Sequence, residues 1–138
     1  MGSFSIDKGL DDLMEGLSSL DLDLFAPEAL TKAGPIVERE MKHLSEPHKK
    51  TGAMAKSIKT AKVKQNKRTG DWSVIVRPTG TDKKGVRNME KLAYLEYGVK
   101  MHNQPATPVI SPTIAKTEKP VQDSLEQSFD AFLRDRGF

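Results

Sequence analysis

His43, His48 and His102 are the only three histidines in the sequence, the side chains whose unshifted pKa lies near neutrality and which serve both as metal ligands and as catalytic bases. His43 and His48 lie five positions apart with Pro47 between them, so they do not share a helix face as the two ligands of an HExxH pair do. They read as solvated surface residues. Two carboxylates working as acid and base must be held apart in a cleft by rigid elements. Asp7, Asp11, Asp12, Asp21 and Asp23 instead crowd an N-terminal, weakly helical stretch, where they suit the positive end of a helix dipole. Glu96, in Tyr94-Leu95-Glu96-Tyr97, is the one acid flanked by aromatics in a core-like element. A structural hydrogen bond or an intersubunit salt bridge explains it better than a catalytic acid with a raised pKa. No GxSxG, GxxxxGKS/T or GxGxxG motif occurs. The absence of Cys excludes disulfides, thiol catalysis and Cys-based zinc sites. The expectation is a non-enzymatic protein with no cofactor and no catalytic or metal-binding residue.

The basic residues offer a different chemistry. Residues 1–30 hold one Lys against seven acids, residues 31–100 hold 17 Lys/Arg against seven, and residues 101–138 hold four against five. Lys59, Lys62, Lys64, Lys67 and Arg68 cluster on one segment, and Lys83, Lys84 and Arg87 on the next. Three readings stay open: a polyanion-binding patch, complementary acidic and basic faces that meet between subunits, or lysines that solubilise a hairpin. Phosphate contact through Lys62, Lys64, Lys67 and Arg68 would be salt-dependent and blind to sequence. Base reading is unsupported, because Trp72 is the only nearby aromatic and suits the core.

Periodicity supplies the elements that must position these residues. Leu10, Leu13, Leu17 and Leu20 make one stripe on a short acidic helix over 7–20, with Asp7 as N-cap. Residues 1–26 form an acidic helical segment that ends in a connection over 21–26. Pro27 opens a second helix carrying Ala29, Leu30, Ala33, Val37, Met41 and Leu44, with a kink or break at Gly34-Pro35. Thr51 caps a helical turn through 52–55. Ser57–Lys64 alternates, with Ile58, Thr60 and Lys62 on one face, and pairs through a basic turn with the strand Trp72–Arg77. Residues 78–88 read as a mobile loop with nothing to pack. Residues 89–97 read as a short helix with Gly98 as its left-handed C-cap, a strand being the alternative, and 99–101 adds a short strand. Residues 103–112 are extended, and Ser111-Pro112 opens a final helix bearing Ile114, Val121, Leu125, Phe129 and Phe132. Pro120 either kinks that helix or starts its main body.

At 138 residues, with 36% apolar and 30% charged side chains, the chain has material for one domain with one modest core. No run approaches a membrane span, and the first 17 residues lack the basic and apolar regions of a signal peptide. The expected fold is α+β. A small antiparallel sheet is covered on one face by helices near 27–44 and 112–135. The expected core is Leu30, Val37, Met41, Trp72, Val74, Val76, Leu92, Leu95, Leu125, Phe129 and Phe132.

Three stretches, in order, resemble one family. Thr51-Gly52-Ala53-Met54-Ala55-Lys56-Ser57-Ile58 is similar to a TGxLxxSI signature entering a strand. Leu92-Ala93-Tyr94-Leu95-Glu96-Tyr97-Gly98 is similar to YAxxVEFGT, and Gln104 to Pro112 (QPATPVISP) to xPAxPFLRPA before a C-terminal helix. Gly9-Leu10-Asp11-Asp12-Leu13 stands where the family has GLDEL. The chain thus resembles, over about residues 7–135, the small tail-component family of long-tailed phages and prophages typified by the gene-ten product of lambdoid phage Hong Kong 97. The motif positions are Thr51, Gly52, Ser57, Tyr94, Glu96, Tyr97, Gly98, Pro105, Pro108 and Pro112. Tyr97 replaces Phe, Val99 replaces Thr, and Val109-Ile110-Ser111 replaces Phe-Leu-Arg.

The resemblance implies a virion protein of tail completion and head-tail joining, present in the host cytoplasm before assembly. It implies a homo-oligomeric ring, hexameric in the virion, at the head-proximal end of the tail. Its partners would be the tail-tube protein and the head connector or a head-completion protein, with no membrane. Lys83, Lys84 and Arg87 are then candidates for contact with a subunit or partner, on a loop expected to order when it meets one.

Overall fold

The computed structural model describes residues 3–5, 19–48 and 52–135, and for 3–5, 19–22 and His102 the backbone alone. The helix expected over 7–20 lies outside these residues as far as Ser18, as does Thr51 with its capping role. The described chain is α+β, with a small antiparallel sheet, several helices and a long C-terminal helix.

The first helix, α1 (Ser19–Ser45), is longer than its periodicity suggests and runs through both prolines. The expected connection over 21–26 is helical, Pro27 is interior rather than at the first turn, and Gly34-Pro35 does not end the helix. An interior proline costs about 3 kcal/mol. Against this, Phe25, Ala26, Ala29, Leu30, Ala33, Val37 and Met41 form one unbroken buried stripe. Each large side chain on it contributes roughly 1.5–3 kcal/mol on burial, so the stripe wins. Phe25 anchors the start of the helix, with its ring 5.6 Å from Phe129 and 5.4 Å from Phe132.

Strand β1 (Ser3–Ser5) pairs antiparallel with one side of β4 (Trp72–Pro78), a strand the sequence did not announce. On the other side lie β2 (Ile58–Thr60) and β3 (Lys64–Gln65), two pieces of one row. Thr60 opposes Val76 and Lys64 opposes Ser73, so Ala61, Lys62 and Val63 face only Val74 and Ile75. That extra residue is a β-bulge, and Ala61 N–H donates to Ile75 O at 2.8 Å within it. The bulge corrects the expected alternation. Lys62 does not share the inner face with Ile58 and Thr60; Val63 takes the half-buried position, and Lys62 and Lys64 are exposed.

Helix α1 packs on the inner face of this sheet. Gly34 allows the close approach, since a Cβ there would stand 2.5 Å from Thr60 Cγ2. One turn on, Glu38 Oε1 accepts the Thr60 N–H at 2.7 Å, which satisfies a donor on the sheet edge. Trp72 is half-buried against the core, and its Nε1 donates to Asp23 at 3.0 Å. Gln65 Nε2 reaches the same carboxylate oxygen at 3.2 Å.

A four-residue turn of helix, α2 (Ala53–Lys56), leads into β2, and α3 (Asn88–Tyr97) follows β4. The long α4 (Ile110–Asp135) packs chiefly along α1, so α1 is held between the sheet and α4. Pro120 lies within α4 and neither breaks nor begins it. The N-terminal half of its buried stripe is Ile110, Thr113 and Thr117, while Ile114, expected inward, is exposed. Both threonines donate back to carbonyls four residues earlier, at 2.7 Å, so neither buried hydroxyl lacks a partner.

Candidate functional site

Two of the three family-like stretches meet at one corner, where α3 ends and α4 begins. Glu96 faces inward from α3, one turn beyond the buried Leu92. Val109 O accepts the first intrahelical bond of α4, from Thr113 N at 3.0 Å, which makes Val109 the N-cap and puts Pro112 at the third helical position rather than the first. The start of a helix leaves four N–H groups without partners, and proline has none to leave. Three remain, on Val109, Ile110 and Ser111, and all three donate to the Glu96 carboxylate, at 2.8, 2.7 and 3.3 Å. The Ser111 hydroxyl donates to it as well. Burial is the largest single influence on Glu96 and pushes its pKa up. The bonds from the Ser111 hydroxyl and from the Ile110, Val109 and Ser111 amides together outweigh it, and the carboxyl titrates below its usual range. The structural hydrogen bond expected of Glu96 is therefore present, within one subunit.

Gly98 follows with φ 74° and ψ 174°. It was expected as a left-handed C-cap, but its ψ places it in an extended region open essentially to glycine alone. A Cβ there would stand 2.8 Å from Gln104 O and 2.9 Å from Ala106 N. This close pass lets Val99 and Gln104 exchange two backbone bonds at 3.0 Å and lets Thr107 N donate to Leu95 O at 2.7 Å. The short strand expected over 99–101 is thus a single bridge at Val99, followed by a 3-10 turn over Lys100–His102. Pro105 and Pro108 lie in the extended stretch that closes the corner.

The fixed corner presents large apolar side chains outward. Tyr94 is 46% exposed, Tyr97 80% and Met101 92%. Beside them is a cavity of about 270 Å³ between α1, α2 and α3, lined by Met54, Tyr94 and Leu95 with Lys91, His48 and Ser45. The Ser45 hydroxyl is buried there, with no hydrogen-bond partner among the described residues. Gly52, at φ 76°, turns the chain into α2, and Ser57 closes that helix with its hydroxyl on Met54 O at 2.7 Å. Among the described residues no group of three or more His, Cys, Asp or Glu side chains is placed to hold a metal ion.

The mobile loop expected over 78–88, with nothing to pack, is instead a loop over 79–87 with an internal framework, since Pro78 ends β4 and Asn88 begins α3. The Asp82 carboxylate accepts the Lys84 and Val86 N–H groups at 2.8 and 2.9 Å and pairs with Lys91 Nζ at 2.8 Å. The Lys91 ammonium, then the Val86 amide, are the main causes that hold the Asp82 pKa down at about 2. Thr81 and Arg87 bridge, and Asn88 N–H donates to Gly80 O at 2.9 Å. Arg87 pairs with Glu90 at 3.6 Å, while Lys83 and Lys84 are exposed.

The outer face of the sheet carries the other basic cluster. Lys59 stands directly opposite Arg77, Lys64 opposite Ser73, and the 38%-exposed Ile75 lies between. Lys67 and Arg68 are exposed at the hairpin tip, where Asn66 Oδ1 accepts the Arg68 N–H at 2.9 Å. The tip and the 79–87 loop lie at opposite ends of β4, about 20 Å apart at the usual strand rise. The structure therefore separates Lys67 and Arg68 from Lys83 and Lys84. The sequence pointed to Glu96 and Gly98 but missed the three-amide clasp; its signal was an acid one turn past Leu92 and a proline just inside the next helix.

No protein-family profile, no curated protein and no solved structure matches the chain.

Proposed function

We propose that the chain is a non-enzymatic structural protein of a phage or prophage. On this reading it acts in tail completion and head-tail joining, as a ring subunit at the head-proximal end of the tail. The observation that carries the reading is the division of labour at the corner. Glu96 and Gly98 have conformational work inside the subunit, whereas Tyr94 and Tyr97, in the same motif, point large surface outward with Met101. Tyrosine and methionine are enriched at protein interfaces, and aromatic anchors held on rigid elements bind at low entropic cost. A heterologous contact between this corner and a different patch on the next copy builds a ring without a catalytic cleft. The ring would then meet the tail tube on one side and the head connector on the other.

Electron microscopy of particles from a phage or prophage carrying a nonsense allele tests this. Tails of wrong length, or tails unattached to filled heads, are expected, with rescue by the wild-type chain. Tyr97→Asp should melt like wild type and fail to rescue. Normal particles without the chain would refute the function, and rescue by Tyr97→Asp would remove the corner from the interface.

A further inference from the structure

The outer face of the sheet has a chemistry that the tail-assembly reading does not use. Between residues 57 and 77 the sequence holds six Lys/Arg and one acid, Asp71. The bulge leaves Lys62 exposed at the sheet edge and sets Lys64 on the outer face, and the register sets Lys59 against Arg77. Among the described residues none of Lys59, Lys62, Lys64, Lys67 or Arg77 has an ion-pair partner. Like charges directly opposite on paired strands destabilise a sheet. Charges on strand edges also deter unwanted strand pairing, but that purpose does not require Lys59 and Arg77 to stand directly against each other. A polyanion lying across the face would turn the repulsion into attraction.

We propose that this face, from Arg77 and Lys59 through Lys62 and Lys64 to Lys67 and Arg68, is a contact surface for the phosphate backbone of double-stranded nucleic acid. Its length of about 20 Å spans about six phosphates of one strand. Single-stranded binding needs aromatic platforms among the charges. This face has none among the described residues, since Trp72 turns inward to Asp23. The contact is therefore with the backbone, independent of base sequence.

The test is fluorescence anisotropy of a labelled duplex of about 20 base pairs with the full chain, titrated between about 50 and 200 mM salt. Engagement of four or five phosphates gives a slope of log K against log salt of about −4. The triple variant Lys59→Thr, Lys64→Thr, Arg77→Thr should bind at least about tenfold more weakly, with a slope shallower by about 3. A second triple variant, Lys32→Ala, Lys116→Ala, Lys119→Ala, removes the same charge from exposed helical positions and should bind within about twofold of wild type. Thermal melts of both variants check that each is folded. No binding at the lowest salt, equal losses in the two variants, or an unaffected sheet variant would each overturn the proposal. So would an equally tight single strand, which would mean that the face does not select the duplex backbone. None of these outcomes bears on tail assembly, which rests on the corner.

Discussion

The corner between α3 and α4 and the outer face of the sheet hold their side chains in opposite ways. At the corner three amides and a hydroxyl share one carboxylate, and a Cβ on Gly98 would stand under 3 Å from two backbone atoms, 2.8 Å and 2.9 Å away. On the sheet face, among the described residues, Lys59, Lys64 and Arg77 have no ion-pair partner, and two of them oppose each other. The first arrangement spends residues on stability, the second accepts a loss of it. Exposed charges that work against their own fold point outward to something else, whereas a satisfied buried acid points inward.

Substitutions at the two places should therefore move stability in opposite directions. The largest effect is expected from Glu96→Ala, which leaves three amides at the start of α4 without an acceptor and should cost about 3 kcal/mol in denaturant unfolding at neutral pH. Folding lowers the Glu96 pKa below its usual value. Its contribution is complete above that usual value and is lost as pH falls through the folded-state value. Glu96→Gln should accordingly be less stable than wild type at neutral pH, and the gap should narrow in acid. A gap that is constant with pH would mean that the carboxylate charge is not what holds the clasp. Next, Gly98→Ala should cost about 2 kcal/mol from backbone strain, with more if Gln104 and Ala106 cannot move aside. The smallest effect has the other sign. Arg77→Thr should raise stability by about 0.5 kcal/mol, because it removes the like-charged pair with Lys59. A loss of stability there would dissolve the contrast between the two regions.

The helical periodicity was legible where it was long. Leu30, Val37 and Met41, then Leu125 and Phe129, are buried as their spacing requires, and the helix over 89–97 is present. Trp72, Leu95 and Phe132 are packed against the core but half-buried. The prolines misled, because local propensity at Pro27 and Pro35 was outweighed by burial on both sides of α1, a tertiary effect. Phe25 and Val109 were missed for the same reason: each sits in a stretch that reads locally as a connection. Asp82 gave no signal, since its order comes from Lys91, on a helix whose placement no local pattern sets. The Glu96 clasp spans 13 to 15 residues and required the fold to be seen.

The single surplus residue between Thr60 and Lys64 acts as a phase shifter for this edge of the sheet. Deleting any one of Ala61, Lys62 or Val63 would do more than shorten the hairpin. With the turn after Gln65 holding its place, it would reverse the facing of the positions before it, sending Lys59 toward α1 and Ile58 out to water. Insertions at the tip beyond Gln65, by contrast, leave that parity untouched. Tolerance to length change should thus switch from nil to generous within a few residues of one strand row.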